Sequence, residues 1–303
     1  MPSLLTRLNH RHFDSIDSTN TTLINDIKTT QLESDLPHLL TASTQSAGRG
    51  QHSRSWQSPM GNVYLSLYYP YQFAITGLLS LIVGYELVQM PVITELNQHR
   101  HRHNLPNIGV KWANDVGFYD PMPNAEGIFL FNKLAGILIE PVWQAGKLLG
   151  VVIGVGLNVH TAPLLCQHTQ EGMSYQAIGL ADLWQAQHLQ ALPQLSELYT
   201  QIAQALINAM QRFNQLQQPQ QQPQQQQTPD SVSQFLQDFA INDALAGRHI
   251  RVSQVTDQLQ GKLQGIDNNG CLQLLTTDGR LVPIFTGKID VVASAKYCHI
   301  QAH

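Results

Sequence analysis

The chain has no CxxC pair, and its three cysteines, Cys166, Cys271 and Cys298, are scattered through 303 residues. That excludes a disulfide framework or a thiolate zinc site and suits free thiols in a reducing compartment. No stretch approaches the roughly 18–20 apolar residues that span a bilayer, and the start, Met1-Pro2-Ser3-Leu4-Leu5, lacks a signal peptide's basic residues and long apolar run. A cytoplasmic protein without a membrane partner is expected. Charge is scarce as well: Asp, Glu, Lys and Arg make up 13% of residues and the net charge is -4, so no global field recruits nucleic acid. A GxSxG elbow and a P-loop are missing, and no third glycine opens a helix after Gly154-Val155-Gly156. The familiar routes to serine hydrolysis, P-loop nucleotide binding and dinucleotide binding therefore lack support. Any anion site must be built locally.

What is present is enough hydrophobic residue, 43%, for one large domain and a small companion. Residues 217–227 hold nine glutamines and two prolines, a run too polar to order itself. Phe235, Leu236, Phe239 and Ile241 resume a helix-like apolar pattern after it, so the tract reads as a flexible insertion within a first domain, 1–246. From Gly247 the texture changes to short β-like runs, Ile250 to Val255, Leu259 to Ile266, Cys271 to Leu275 and Leu281 to Phe285. Asn269-Gly270 and Asp278-Gly279 punctuate them, which predicts a small β-barrel over 247–303. Upstream, the irregular alternation of segments predicts a mixed sheet. Strands are expected at Val63 to Tyr69, Gly109 to Trp112, Leu134 to Glu140 and Leu148 to Val155, and an apolar helix at Gly77 to Gln89 that Pro91 ends or kinks. The run containing His99, His101 and His103 reads as a polar loop rather than a metal site.

Five segments carry chemistry. Gln45-Ser46-Ala47-Gly48-Arg49-Gly50-Gln51-His52-Ser53-Arg54-Ser55-Trp56 combines glycines, whose N–H groups approach a ligand closely, with two forked guanidinium donors. It is either an anion cradle or a solvated turn. Lys111-Trp112-Ala113-Asn114-Asp115 offers a cation for phosphate and two hard oxygen donors for magnesium, or else a turn closing a hairpin. Lys133 opens the apolar run through Glu140 and must either snorkel to solvent or face an anion, because an unpartnered buried ammonium is costly. Gly136 within that run, and Gly154 and Gly156 ahead of Asn158, mark close approach by a ligand or by another segment of chain. Asp17-Ser18-Thr19-Asn20 sits where hydroxyls cap a helix, and the same hydroxyls suit a ureido or amide ligand.

Taken in this order along residues 13–160, the Asp-Ser-Thr-Asn, Gln-Ser-Ala-Gly-Arg-Gly, Lys-Trp-Ala-Asn-Asp, Lys-Leu-Ala-Gly-Ile-Leu-Ile-Glu and Ile-Gly-Val-Gly-Leu-Asn segments resemble the biotin protein ligases. The resemblance implies an α+β fold related to class II aminoacyl-tRNA synthetases, a mixed sheet with helices, and a C-terminal SH3-like barrel. It implies a two-step reaction in which biotin and ATP give biotinoyl-AMP and pyrophosphate, and a lysine of the biotin carboxyl carrier protein of acetyl-CoA carboxylase then takes the biotin. By the same resemblance Lys133, Arg49 and Lys111 would be catalytic. Ser18, Thr19, Asn20, Gln45, Arg49, Gly50, Gln51, Lys133, Gly136, Gly154 and Gly156 would line biotin. Gly48, Arg54, Trp56, Lys111, Asn114 and Asn158 would contact ATP or the adenylate, and Asp115 and Asn158 would hold Mg2+.

The chain departs from the family at several points. Gln51, His52 and Ser53 stand where many relatives carry Arg, Arg and Gly, which weakens the loop's charge and is expected to loosen its hold on the adenylate. Ala113 replaces a common proline, and Val292 falls near the place of an arginine, so a nucleotide contact from the small domain is in question. Some relatives repress transcription through an N-terminal helix-turn-helix; only 16 residues precede Asp17, so no specific DNA binding is expected. Edge-strand pairing would allow a homodimer. A lipoate or octanoate ligase on a related fold is the competing enzyme reading, and a biotin-binding protein without catalysis the competing non-enzyme one.

Overall fold

The computed structural model describes residues 3–71, 74–163, 174–217, 231–254 and 257–293. Helix α1 (Leu4–Arg7) leads into β1 (Arg11–Ile16), α2 (Thr19–Lys28), β2 (His38–Gln45) and β3 (Val63–Pro70). Helices α3 (Leu78–Val88) and α4 (Pro91–Arg102) precede β4 (Gly109–Lys111), β5 (Asp115–Pro123), β6 (Ile128–Gln144), β7 (Lys147–Leu157) and β8 (Tyr175–Ala177). After α5 (Leu180–Ala186), α6 (Leu195–Gln217) and α7 (Ser231–Ala240) come five short strands. They are β9 (His249–Ser253), β10 (Gln258–Ile266), β11 (Leu272–Thr276), β12 (Leu281–Ile284) and β13 (Lys288–Val292).

The sheet is mixed, as expected. β1 and β2 run parallel, β2, β3, β7 and β6 are successive antiparallel neighbours, and β8 lies parallel to β6. The alternation of β3 assigns its two faces. Val63, Leu65 and Leu67 enter the main core with Leu79, Ile82 and Val83 of α3 and Ile202, Leu206 and Met210 of α6. Tyr64, Ser66 and Tyr68 point the other way, where Tyr68 packs with Leu23 and Ile27 of α2. On that second face Ser66 stands opposite Gly154, which stands opposite Leu138, and Tyr64 opposite Gly156, which stands opposite Gly136. Three glycines thus leave room on the α2 side of the central strands.

Several expectations are corrected. The helix before Pro91 does end there, as expected, but Pro91 is also the first residue of a second helix, α4, where its missing N–H costs nothing. The His99–His103 run is the last turn and cap of α4 rather than a loop, and no cluster of three or more potential metal-ligating residues occurs among the described residues. Phe235 and Phe239 join the main core as the pattern suggests, but Ile241 lies beyond α7 and is 85% exposed. The strand containing Lys133 begins at Ile128, so the lysine is interior to it. Residues 218–227 of the glutamine tract, Val255, Cys166 and Cys298 lie outside the described residues, while Cys271 is a buried free thiol. Among the described residues no single helix is long and apolar enough to cross a membrane.

Strands β9 to β13 are antiparallel neighbours in the order β13-β9-β10-β11-β12 and enclose Ile250, Val252, Leu263, Leu272, Leu274, Ile284, Ile289 and Val291. Both predicted turns are present, with Gly270 and Gly279 at positive φ. Several contacts tie the unit to the larger sheet: β13 pairs with the start of β6, Val291 opposite Phe129, Trp112 Nε1 donates to Gly270 O at 2.8 Å, and Ser174 Oγ donates to Asp290 Oδ1.

Candidate functional site

The second face of the sheet gathers most of the singled-out residues. Ser18 is the N-cap of α2, its Oγ accepting from Thr21 N at 3.4 Å, so the capping role is filled. That cap fixes the first turn and delivers Thr19 and Asn20 to the sheet. Thr19 donates from its N and Oγ1 to Gln45 Oε1 at 2.9 and 3.1 Å, and Gln45 Nε2 donates to Ser58 Oγ at 2.9 Å. Ser66 Oγ lies 2.7 Å from Thr19 Oγ1 and 2.5 Å from Asn20 Oδ1. Asn20 Nδ2 donates to Glu140 Oε2 at 2.9 Å and to Leu138 O at 3.3 Å. The result is a continuous polar chain from Ser58 to Glu140 in an otherwise apolar layer, and buried polar groups hold such a position only when partnered in this way.

The glycine-rich loop is a small hairpin. Arg49 bridges Ser55, Gly50 N donates to Arg54 O at 2.7 Å, and Trp56 N donates to Gly48 O at 2.8 Å. Its tip is a 3₁₀ turn over Gln51–Ser53 with His52 at φ 54°. Gly48 is required by the hairpin itself, since a Cβ there would lie 2.4 Å from Trp56 O. Arg49 Nη2 pairs with Glu140 Oε2 at 2.7 Å, which latches the loop to β6, whereas Arg54 is exposed. The room left by the sheet glycines is filled by protein: a Cβ on Gly154 would meet Asn20 Oδ1 at 2.2 Å, and one on Gly156 or Gly136 would meet the Trp56 indole at 2.5 or 2.8 Å.

Two lysines complete the arrangement. Between β5 and β6 the pairing slips by one residue, Val116 facing Ala135 but Gly117 facing Lys133. Leu134 is the extra residue of this bulge, and the slip turns Lys133 onto the face that carries Asp115 and Gly136. Lys133 Nζ pairs with Asp115 Oδ1 at 2.7 Å and lies 5.2 Å from the Trp56 ring centre and 5.6 Å from that of Tyr175. Lys111, cross-strand from Asp115 and 8% exposed, sits 4.9 Å over the Phe131 ring. Burial pushes its ammonium below the ordinary lysine value; Asp115 opposes that shift and Lys133 adds to it. The two ammonium groups thus face one carboxylate.

Asn114 and Asn158 are placed differently. Asn114 Nδ2 donates to Ile137 O at 3.1 Å, binding its own hairpin to β6. Asn158, 1% exposed, donates from Nδ2 to Lys133 O at 3.4 Å, while its Oδ1 is buried without a hydrogen-bond partner. A buried amide oxygen left open in this way is suited to a cation or a cation-bound water. The Asp115 carboxylate and the Asn158 amide oxygen are both hard oxygen donors of the kind magnesium prefers. The donor set therefore fits Mg2+.

Glu140, Ser58, Ser66 and Tyr175 are site residues that sequence reasoning left without a role. Ser66 carried a signal, a lone hydroxyl on a strand whose neighbours are apolar or aromatic, and Glu140 ends an apolar run. Tyr175, in a strand of three residues, carried none.

A family model described as the biotin/lipoate A/B protein ligase family matches residues 12–158. The chain is similar to the bifunctional ligase/repressor BirA of Escherichia coli strain K12, with 28% identity over 286 residues covering 93% of this chain and 73% of that protein. It is also 28% identical over 281 residues to the protein of the same name from Salmonella typhimurium, with 91% and 72% coverage. Its fold is similar to that of the biotin protein ligase from Aquifex aeolicus in complex with biotin and ATP, with a TM-score of 0.65 at 20% identity over 94% of this chain and 99% of that one.

Proposed function

We propose that the chain, whose residues 12–158 match the model of the biotin/lipoate A/B protein ligase family, is an ATP-dependent biotin protein ligase acting through a biotinoyl-adenylate. In the first step a biotin carboxylate oxygen attacks the α-phosphorus of ATP, the bond to the bridging oxygen breaks, and pyrophosphate leaves. In the second, the amine of a carrier lysine attacks the acyl carbon, AMP departs, and the amine loses a proton as the amide forms. The acceptor would be the biotin carboxyl carrier protein of acetyl-CoA carboxylase. The observation that carries this reading is the placement of Lys133 and Lys111 around Asp115 beside the polar chain that runs from Gln45 to Glu140.

The reaction joins two anions, so its barrier falls where fixed positive charge lies beside both. Lys133 is the group for the biotin carboxylate and Lys111 for the phosphate. Asp115 holds Lys133, and an arriving carboxylate would compete for the same ammonium. Ser18, Thr19, Asn20 and Gln45 supply the amide and hydroxyl groups suited to the ureido end. Asp115 and Asn158 would hold Mg2+, which when bound offsets phosphate charge. The loop from Gly48 to Trp56, latched through Arg49 to Glu140, would cover the adenylate and keep water from hydrolysing it.

Lys111 makes the first step sensitive to alkali. Its lowered pKa means that the ammonium loses its proton at a lower pH than an ordinary lysine, so the adenylation rate should fall on the alkaline side before the ordinary lysine range is reached. Lys111→Arg keeps the charge throughout, and its pH–rate profile should lose that limb; an unchanged limb would assign it to another group. The function itself is tested by incubating the protein with biotin, ATP, magnesium and a biotin carboxyl carrier domain. Mass spectrometry should find one biotinoyl group on one carrier lysine, dependent on ATP; an unmodified carrier in the presence of folded protein would refute the transfer.

A further inference from the structure

The surroundings of the Lys133 ammonium come from three separate elements. Asp115 of β5 pairs with it at 2.7 Å, Trp56 of the glycine-rich hairpin presents a ring 5.2 Å away, and Tyr175 of β8 presents another at 5.6 Å. β8 is short, yet it is held in register on β6: Phe131 pairs with Tyr175 and Lys133 with Ala177, Phe131 N donates to Ser174 O at 2.9 Å, and Ile178 N donates to Lys133 O at 3.0 Å. In this register Tyr175 lies two residues from the partner of Lys133 and on the same face, within reach of a long side chain.

We propose that Tyr175 is a positioning residue for Lys133, its ring holding the ammonium in place while the carboxylate partner is exchanged. The proposal rests on the ligase reading. A lysine side chain has four rotatable bonds, and when the biotin carboxylate competes with Asp115 the old ion pair no longer fixes it. An aromatic face attracts the cation without accepting one of its hydrogen bonds in the way a carboxylate does. The N–H donors therefore stay available to the incoming carboxylate. Trp56 performs the same task from the other element, but it rides on the hairpin that must admit the ligand, whereas Tyr175 is anchored to the sheet by backbone pairing. Tyr175 thus keeps hold of the ammonium in whichever state the loop adopts.

The test compares Tyr175→Phe, which keeps the ring, with Tyr175→Leu, which keeps apolar bulk and removes it, using biotin-dependent ATP–pyrophosphate exchange by the full chain. The expected result for Tyr175→Leu is a kcat about 10-fold lower and a raised KM for biotin, with the KM for ATP unchanged; Tyr175→Phe should restore both to within about 2-fold of the parent. Parent-like kinetics in Tyr175→Leu would overturn the proposal. So would a Phe variant as impaired as the Leu one, or a Leu variant whose two KM values and melting temperature deteriorate together, since packing alone would produce that. A parent protein with no exchange would instead refute the ligase reading on which the proposal stands.

Discussion

Lys133→Ala should lower biotin-dependent ATP–pyrophosphate exchange by about 100- to 1,000-fold while leaving a folded protein. The size follows from what one preorganised charged donor contributes when aimed at developing charge, about 3–4 kcal/mol. The side chain is also hard to replace locally, because Arg49 is committed to Glu140. The cost to folding should be far smaller. Lys133 lies on a bulge within β6, which is held along its length by β7 and β5, and its removal deprives Asp115 of one ion pair in a partly exposed setting. A destabilisation of about 1 kcal/mol corresponds to a melting shift of about 2–4 °C. Circular dichroism and exchange kinetics on the same preparation separate the two effects. Exchange within a few-fold of the parent would remove Lys133 from the reaction.

Gly154→Ala should damage the site by a different route. The new Cβ would lie 2.2 Å from Asn20 Oδ1 and 2.9 Å from its Cγ, in a layer where Asn20 is 4% exposed and bonded to Ser66, Leu138 O and Glu140. Asn20 is short and stands in the first turn of α2, so it cannot yield without breaking that chain. Neither can Gly154, a central-strand residue paired on both sides. Overpacking of this kind costs about 1–3 kcal/mol of stability, and the loss of Asn20 from Glu140 also disturbs the acceptor that latches Arg49. A biotin titration should show affinity reduced at least about 10-fold, accompanied by a lower melting temperature. Unaltered affinity would mean that the Asn20–Glu140 chain does not shape the ligand site.

The glycines illustrate what could be read from the chain and what could not. That something approaches Gly136, Gly154 and Gly156 was legible, because a strand glycine marks a close neighbour. That the neighbours are Trp56 and Asn20 was not, since it depends on which strands lie opposite one another. Lys133 shows the same limit. Its placement needs a bulge at Leu134, and pairing slips of one residue leave no mark in an apolar run. Local rules served better: Ser18 caps α2, the strand expected from Val63 is β3, and Asn269-Gly270 and Asp278-Gly279 are turns. Pro91 marked the end of α3 correctly, and what it did not reveal is that it also opens α4, a position that proline favours. Trp112 could not be placed from its surroundings, for its indole partner, Gly270 O, is 158 residues away in sequence.

Biotin, rather than lipoate or octanoate, should be the acid joined to AMP at Lys133 and Lys111. Exchange of labelled pyrophosphate into ATP, run with biotin, with lipoate, with octanoate and with no acid, measures this step before any carrier is involved. Label should enter ATP with biotin and stay at background with the other three. Exchange supported equally by lipoate or octanoate, or no exchange by folded protein with any of them, would contradict it.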